Sequence, residues 1–265
     1  MIKFLKIIFL TFLILSFMNP AKTDDTKIII NIPSRTLELW KDDKINKIYP
    51  IGVGLPKTPT PIGSFKVISM IRNPGWENPY KPAGEIRIKP GKANPLGTRW
   101  LGFFRNRKGE FGIHGTNQPS SVGKFVSHGC IRMKIKNSEY TYSQVDFDTP
   151  VLIKYYPYKV KILNNKILVQ KFPNEYKRKF STIKIVNEQL KDTNKKYYLD
   201  KKKLSTLGKL KNTESTQIGY IVPENNLDIS LTKTQKIIFA IYQVFKIKVM
   251  NLIFWGNMHN ISKNH

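Results

Sequence analysis

The segment HGTNQPSSVGKFVSHGCIR, residues 114–132, contains the chain's single cysteine and two of its four histidines. His114 begins the segment, and His128 stands two positions before Cys130. Thiolate is the reactive form of cysteine, and a nearby imidazole can accept the thiol proton, so a cysteine beside a histidine is the minimum for covalent acyl chemistry. The segment therefore indicates a nucleophile, Cys130, with His114 and His128 as candidate partners.

The end of this segment predicts how the residues are arranged. If FVSHGCIRM, residues 125–133, is one extended strand, His128, Cys130 and Arg132 point to the same side, because strand side chains alternate. Gly129 would let a substrate approach closely, and N–H groups around Gly129 and Cys130 could stabilise an oxyanion. We expect these residues to share one reactive surface.

Plainer explanations exist for each residue alone. A lone cysteine is often a small buried hydrophobe, and a histidine in a β domain is more often structural than catalytic. A zinc site from His114, His128 and Cys130 is a second chemical interpretation, since three ligands and one open position describe catalytic zinc. The spacing matches no ligand signature, and zinc would block the thiol. We therefore expect no metal and no cofactor.

The surrounding sequence predicts a mainly β domain at residues 26–156. Its candidate strands are short and rich in β-branched or aromatic residues, as strands in sheets are. They are TKIIINI (26–32), RTLELW (35–40), KINKIYPIGVG (44–54), RWLGFF (99–104), FGIHG (111–115) and TPVLIKYY (149–156). Between them, residues 72–99 are rich in Pro and Gly, and we interpret this stretch as a lid or wall over the site.

Two further elements follow from turn and cap signals. Asn137 and Ser138 are candidate N-caps for a short helix over EYTYSQV, residues 139–145. Residues 157–176 predict a β-hairpin extension turned at Asn164-Asn165. Residues 177–226 are rich in Lys and Asn with few large apolar residues, which predicts a weakly ordered region.

The two ends of the chain carry apolar segments. Residues 1–22 combine Lys3 and Lys6 with an apolar run, residues 7–18, which is typical of a secretory signal peptide or an N-terminal anchor. The basic C-terminal region, residues 177–265, holds a candidate amphipathic helix at 234–255. That helix would either lie on an anionic membrane surface or dock on the domain by its apolar face. We expect an exported protein at the cell wall or the extracytoplasmic face of the membrane.

The net charge of +27 favours anionic partners but does not distinguish among their classes. Such a positive field concentrates anionic partners, whether nucleic acid, anionic lipid or acidic wall polymers. The sequence has no groove-reading or base-stacking motif, and its export signal speaks against nucleic acid. Anionic wall polymers or a membrane surface remain as partners.

These motifs resemble the L,D-transpeptidases with a YkuD-type catalytic domain. The signature is HG, then SHGC about a dozen residues later, then R, here His114-Gly115, Ser127-His128-Gly129-Cys130 and Arg132. Three further segments are similar to family elements: TPTPIGSFKV (58–67), NPGWENP (73–79) and ANPLGTRWLGF (93–103). One departure is FDTPV (147–151), where the family often has Gly at the position of Asp148.

The resemblance implies a β-sandwich-like domain in which Cys130 is the nucleophile and His114 the proton donor and acceptor. It implies that Ser127, His128, Gly129, Arg132 and Gly115 bind and orient the substrate. The family's substrates are peptidoglycan stem peptides: the cysteine attacks the third residue of a tetrapeptide, D-alanine leaves, and an amine of another stem takes the acyl group.

Other functions share the same residues. Water as acceptor would make an L,D-carboxypeptidase, and a different specificity an exported cysteine peptidase. A non-catalytic wall-binding protein is the alternative from another class, with the charge as its binding feature.

Overall fold

The structure is a computed structural model that describes residues 25–78, 81–82, 84–85, 87–107 and 109–222. The predicted signal segment at 1–22 and the candidate helix at 234–255 lie outside these residues. The chain divides into two compact units, residues 1–193 with 199–219, and residues 194–198 with 220–265. No helix in the described part of the chain is both long and apolar enough to cross a bilayer.

Strands dominate the described residues, so the predicted mainly β fold is confirmed. The first eight strands are β1 (Thr26–Asn31), β2 (Thr36–Lys41), β3 (Lys44–Pro50), β4 (Val53–Gly54), β5 (Gly63–Lys66), β6 (Ser69–Arg72), β7 (Trp76–Glu77) and β8 (Arg87–Ile88). The others are β9 (Arg99–Asn106), β10 (Gly109–His114), β11 (Phe125–Ser127), β12 (Ile131–Arg132), β13 (Pro150–Lys154), β14 (Tyr158–Leu163), β15 (Lys166–Lys171), β16 (Tyr197–Leu199) and β17 (Ser215–Ile221). The α-helices are α1 (Ile135–Ser143), α2 (Thr182–Leu190) and α3 (Lys201–Thr206).

Two sheets enclose one hydrophobic core. The first has the order β3-β2-β1-β13-β5, and the second β12-β10-β9-β6. Alternate residues of the first sheet, such as Ile28, Ile30 and Val151, are fully buried, and they join Leu101 and Ile113 of the second sheet in the same cluster. Each such side chain contributes about 2 kcal/mol of hydrophobic stabilisation. This core holds the second sheet, which carries the candidate site, in place.

The turn at Asp148, where the sequence departs from the family pattern, is intact. Asp148 adopts a positive φ of 64°, a region that favours glycine and that Asp tolerates better than most residues. The Thr149 hydroxyl accepts a hydrogen bond from the Asp146 N–H at 3.0 Å. The turn therefore delivers β13 to the sheet without the family's glycine.

The predicted hairpin is present, but the region after it is not weakly ordered. β14 and β15 pair through a turn in which Asn164 and Asn165 both have positive φ. The last sheet has the order β14-β15-β17-β16, so residues 177–222 contribute two of its four strands. Three apolar residues of α2, Ile185, Val186 and Leu190, are buried. The expectation of weak order for 177–222 is wrong, because sparse apolar residues are concentrated on the buried faces.

The second unit is described only at residues 194–198 and 220–222. The Val222 N–H donates to the Lys196 carbonyl at 2.7 Å, and the Tyr198 and Tyr220 rings lie 5.2 Å apart. These contacts pair the two short segments with each other.

The start of α1 differs from its prediction. The helix begins at Ile135, with Lys134 as an N-cap residue whose side chain makes no capping bond. The Ser138 hydroxyl, predicted as a cap, instead donates to the Ile135 carbonyl at 2.7 Å. Ser138 is 3% exposed. Packing has therefore turned this hydroxyl inward, and local cap preference did not decide the boundary.

Candidate active site

Two neighbouring strands place His114 and Arg132 on the same face of the second sheet. β10 and β12 are parallel, with Ile113 opposite Ile131 and His114 opposite Arg132. Both isoleucines are buried in the core. Because strand residues alternate, His114 and Arg132 lie on the face away from it. Cys130 directly precedes β12, and it is hydrogen-bonded to the backbone of Gly112 on β10.

The predicted single strand over residues 125–133 is wrong. β11 ends at Ser127, β12 begins at Ile131, and Gly129 between them has a φ of +115°. A Cβ at Gly129 would lie 2.5 Å from the Phe111 ring, so the glycine is required for both its conformation and its space. Strand alternation therefore does not place His128 with Cys130. His128 is exposed, and Cys130 is partly buried.

Ser127 holds this turn together. Its hydroxyl donates to the Cys130 carbonyl at 2.5 Å and accepts the Gly129 N–H at 3.1 Å. Ser127 is 2% exposed. Ser127 thus shapes the turn that presents the thiol, and the Gly129 N–H, a predicted oxyanion donor, already has an acceptor.

The loop of residues 54–60 is hydrogen-bonded to the turn that carries Cys130. The Ser127 carbonyl accepts the Leu55 N–H at 2.9 Å and the Thr58 hydroxyl at 3.1 Å. The Tyr176 hydroxyl closes the same loop, since it donates to the Gly54 carbonyl at 2.8 Å and accepts the Thr60 N–H at 3.1 Å. A tyrosine from beyond the hairpin is therefore linked to the cysteine-bearing turn.

His114 is buried and held in one tautomer. Its Nδ1 lies 2.5 Å from the Gly115 carbonyl oxygen. A carbonyl can only accept, so Nδ1 carries the proton and Nε2 has the free lone pair. The Trp100 indole stacks on the imidazole with centroids 5.7 Å apart. Burial lowers the pKa of His114 to about 4; the bond to Gly115 opposes this effect, and the charge of Arg132 adds to it.

Burial raises the pKa of Cys130, against the Gly112 backbone hydrogen bond and the positive charge of Arg132, and the Glu110 carboxylate raises it further. Burial also lowers the pKa of the Arg132 guanidinium, although the interaction with Cys130 raises it. A raised pKa of the thiol and a lowered pKa of the imidazole favour general-base activation during attack over a preformed ion pair.

Gly115 acts as a close-packing residue. A Cβ there would lie 3.0 Å from the Ser138 hydroxyl of α1. Gly115 thus lets α1 lie against the chain that follows His114. The described residues include no group of three or more His, Cys, Asp or Glu placed to hold a metal ion.

Comparison with known proteins agrees with the motifs. The L,D-transpeptidase catalytic domain family, YkuD, matches residues 25–153. YqjB of Bacillus subtilis, named as an L,D-transpeptidase, is 36% identical over 133 residues, which cover 49% of this chain and 71% of YqjB. The chain belongs to the L,D-transpeptidase family. The resemblance drawn from the sequence is confirmed.

Other members of the L,D-transpeptidase family match over shorter shares of their length. YkuD of Bacillus subtilis is 40% identical over 110 residues, covering 42% of this chain and 54% of YkuD. The crystal structure of L,D-transpeptidase 3 from Mycobacterium tuberculosis aligns with 49% of this chain and 61% of its own, at 20% identity and a TM-score of 0.41. The chain thus spans about half the length of YkuD and less than two thirds of the solved structure.

The sequence interpretation of this L,D-transpeptidase missed four residues around the site: Ser69, Trp100, Glu110 and Tyr176. Strand alternation could have found Glu110, because positions 110, 112 and 114 of β10 share a face. No local pattern could have found Tyr176, because its hydroxyl bonds the carbonyl of Gly54, which lies 122 positions earlier in the sequence.

Proposed function

We propose that this protein is a peptidoglycan L,D-transpeptidase whose nucleophile is Cys130 and whose proton acceptor and donor is His114. The observation that carries the proposal is that Cys130 is hydrogen-bonded to the backbone of Gly112, two positions before His114 on β10, while the bond from His114 Nδ1 to the Gly115 carbonyl leaves Nε2 as the proton acceptor. That arrangement suits acyl transfer, in which one group must first take and then return a proton.

The chemistry needs two displacements. His114 Nε2 takes the thiol proton as Sγ attacks the carbonyl carbon of the third residue of a tetrapeptide stem. The C–N bond to D-alanine then breaks, the imidazolium gives its proton to the leaving amine, and a thioester remains. An amine of a second stem attacks the thioester, its proton passes to His114, and the thiol is restored.

The other predicted site residues take different parts in this proposal. Arg132, on the same face as His114, would stabilise developing negative charge and orient the stem, together with the Cys130 N–H. The exposed His128 would contact the substrate directly. Ser127, Gly129 and Gly115 would act by shape, because they fix the turn and the packing around the two reacting groups.

Export and wall binding complete the proposal. The family's substrate lies outside the cytoplasm, and the N-terminal signal or anchor pattern would bring the enzyme there. A net charge of +27 favours anionic wall polymers or an anionic membrane surface as a secondary partner. No nucleic-acid partner and no cofactor belong to the proposed reaction.

Intact-protein mass spectrometry tests the proposed function. The protein is incubated with a tetrapeptide donor or a carbapenem, beside Cys130→Ala and His114→Gln. We expect an adduct on the wild type, none on Cys130→Ala, and a much slower one on His114→Gln. A wild-type thiol that reacts with an alkylating agent but with neither acyl donor would instead favour a different peptidase or a binding protein. Adding an amine acceptor then separates transfer from hydrolysis.

A further inference from the structure

Glu110 is the centre of a hydrogen-bond network on the site face of the second sheet. Its carboxylate accepts the Trp100 Nε1–H at 2.8 Å and the Ser69 hydroxyl, and it accepts Arg105 Nε–H at 3.0 Å. The Glu110 side chain is only 16% exposed. Burial alone would raise the pKa of Glu110, but the bonds from Ser69, Trp100 and Arg105 lower it below its usual value. The carboxylate is therefore ionised and fixed.

Two facing glycines make room for this network. Gly102 of β9 pairs directly with Gly112 of β10. A Cβ at Gly102 would lie 1.9 Å from a Glu110 carboxylate oxygen, and a Cβ at Gly112 would lie 2.6 Å from the Trp100 indole. The Glu110 carboxylate therefore packs against the backbone of Gly102, and the Trp100 indole packs against the backbone of Gly112. Neither group can move closer to the sheet.

The network ends at the proposed base. Trp100 is 9% exposed and stacks on the His114 ring with an interplanar angle of 20°. The imidazole has one further fixed contact, the bond from Nδ1 to the Gly115 carbonyl. The stacked indole covers one face of the ring and so limits its tilt.

We propose that Glu110 is a positioning residue of this site, which fixes the plane of the His114 imidazole through Trp100. The inference rests on the proposed function for His114 as the base. Neither Glu110 nor Trp100 takes part in a covalent step. Their effect is to hold Nε2 where it meets the Cys130 proton, and small misplacements of a catalytic group cost large factors in rate.

The chain contains a matched control for this proposal. On β2, Trp40 Nε1 donates to Glu38 at 3.0 Å, and Glu38 also accepts the Lys159 ammonium. Both networks therefore join a carboxylate to an indole and a cation. Only the one at Glu110 contacts His114.

The experiment uses the full chain with Glu110→Ala, Trp100→Phe, the double variant and Glu110→Gln, beside Glu38→Ala and Trp40→Phe. One readout is the second-order rate of carbapenem acylation of Cys130. The other is the set of His114 imidazole ¹H chemical shifts by NMR, which report the ring current of the stacked indole and need no substrate. We expect Glu110→Ala and Trp100→Phe each to lower the rate about tenfold, and the double variant no further than Trp100→Phe. The controls should stay within about twofold.

The variants separate positioning from other roles. Glu110→Gln keeps an acceptor for the indole, so it should recover most of the rate, and it replaces Glu110→Ala if that variant does not fold. Single effects that multiply in the double variant, or His114 ring shifts unchanged in Glu110→Ala, would overturn the inference. A wild type that is never acylated would refute the proposed function, while the NMR readout would still decide the role of Glu110.

Discussion

At the scale of single residues, burial of His114 should make stability depend on pH. The pKa of His114 is lowered to about 4, from 6.5 in an unfolded chain. Between these values the unfolded chain binds more protons at this residue, so the free energy of unfolding falls as pH falls from 6.5 to 4. The difference amounts to about 3 kcal/mol.

Urea unfolding at a series of pH values checks this dependence. We expect the wild type to lose about 3 kcal/mol more than His114→Gln between pH 6.5 and pH 4. His128→Gln, which changes an exposed side chain, is the control and should follow the wild type. Equal losses in wild type and His114→Gln would mean that His114 is protonated in the folded state.

Gly129 has no space for a side chain, whereas Gly109, which has a similar backbone conformation, has open space beside it. Gly129 and Gly109 have φ values of +115° and +120°. A Cβ at Gly129 would strike the Phe111 ring, whereas a Cβ at Gly109 would meet nothing within 4 Å. Each alanine variant carries backbone strain of about 1 to 3 kcal/mol.

Only Gly129→Ala should also displace the thiol. We expect acylation by a carbapenem to fall by about 100-fold in Gly129→Ala and by less than about threefold in Gly109→Ala. Stopped-flow or mass-spectrometric rates give the comparison, with thermal unfolding as the measure of strain. Equal rates in the two variants would show that the turn adapts around a methyl group.

At the scale of elements, the sequence predicted structure well where a local signal and the tertiary environment agree. The strands β1, β2 and β13 follow from β-branched runs, and the β14–β15 hairpin from Asn164-Asn165. The split between β11 and β12 could not be predicted from strand propensity, because the ring of Phe111 and the Ser127 hydroxyl impose the turn at Gly129.

The same contrast holds at the candidate site. The cysteine, the histidines and the arginine were visible as a motif, since their chemistry is tied to residue type. The residues around this motif, Glu110, Trp100 and Tyr176, were not visible in the sequence, because they act through contacts between segments distant in sequence. Residues 177–222 were predicted as weakly ordered because their composition is polar, yet a few apolar positions suffice when each is buried.

Tyr176 links the segment after the hairpin to the loop that supports the cysteine turn. We expect Tyr176→Phe to lower the free energy of unfolding by about 1 to 3 kcal/mol, because the Gly54 carbonyl and the Thr60 N–H each lose a partner. Amide hydrogen exchange should increase at residues 54–60 and 127–130.

Tyr140→Phe is a suitable control for this prediction. Its hydroxyl donates to Asn46 at 3.2 Å in an exposed position, so its loss should cost little. Carbapenem acylation should slow in Tyr176→Phe and not in Tyr140→Phe. Unchanged amide hydrogen exchange at residues 127–130 in Tyr176→Phe would show that the loop of residues 54–60 does not stabilise the cysteine turn.

At the scale of the whole molecule, the hydrophobic core includes residues beyond the matched family domain. The family match ends at residue 153, but Tyr155 belongs to the core and Tyr176 packs against it. Their rings stack 5.3 Å apart, and Tyr176 also meets Phe125 of β11 at 5.9 Å. We therefore propose that the segment carrying Tyr155 and Tyr176 completes the core beside the cysteine turn, beyond the domain end expected at 156.

Truncation tests this extension. A chain of residues 25–156 lacks Tyr176, and loss of this partly buried aromatic residue should cost about 1 to 3 kcal/mol. We expect it to unfold at lower urea than a chain of residues 25–222 and to be acylated more slowly. Tyr176→Ala in the longer chain is the control, since it removes the same ring and keeps the rest of the sheet. If the contact of Tyr176 with the loop is the cause, both should lose acylation to a similar degree. A chain of residues 25–156 that matches the longer chain in stability and rate would instead show that the family domain is complete by itself, with the later residues a separate addition.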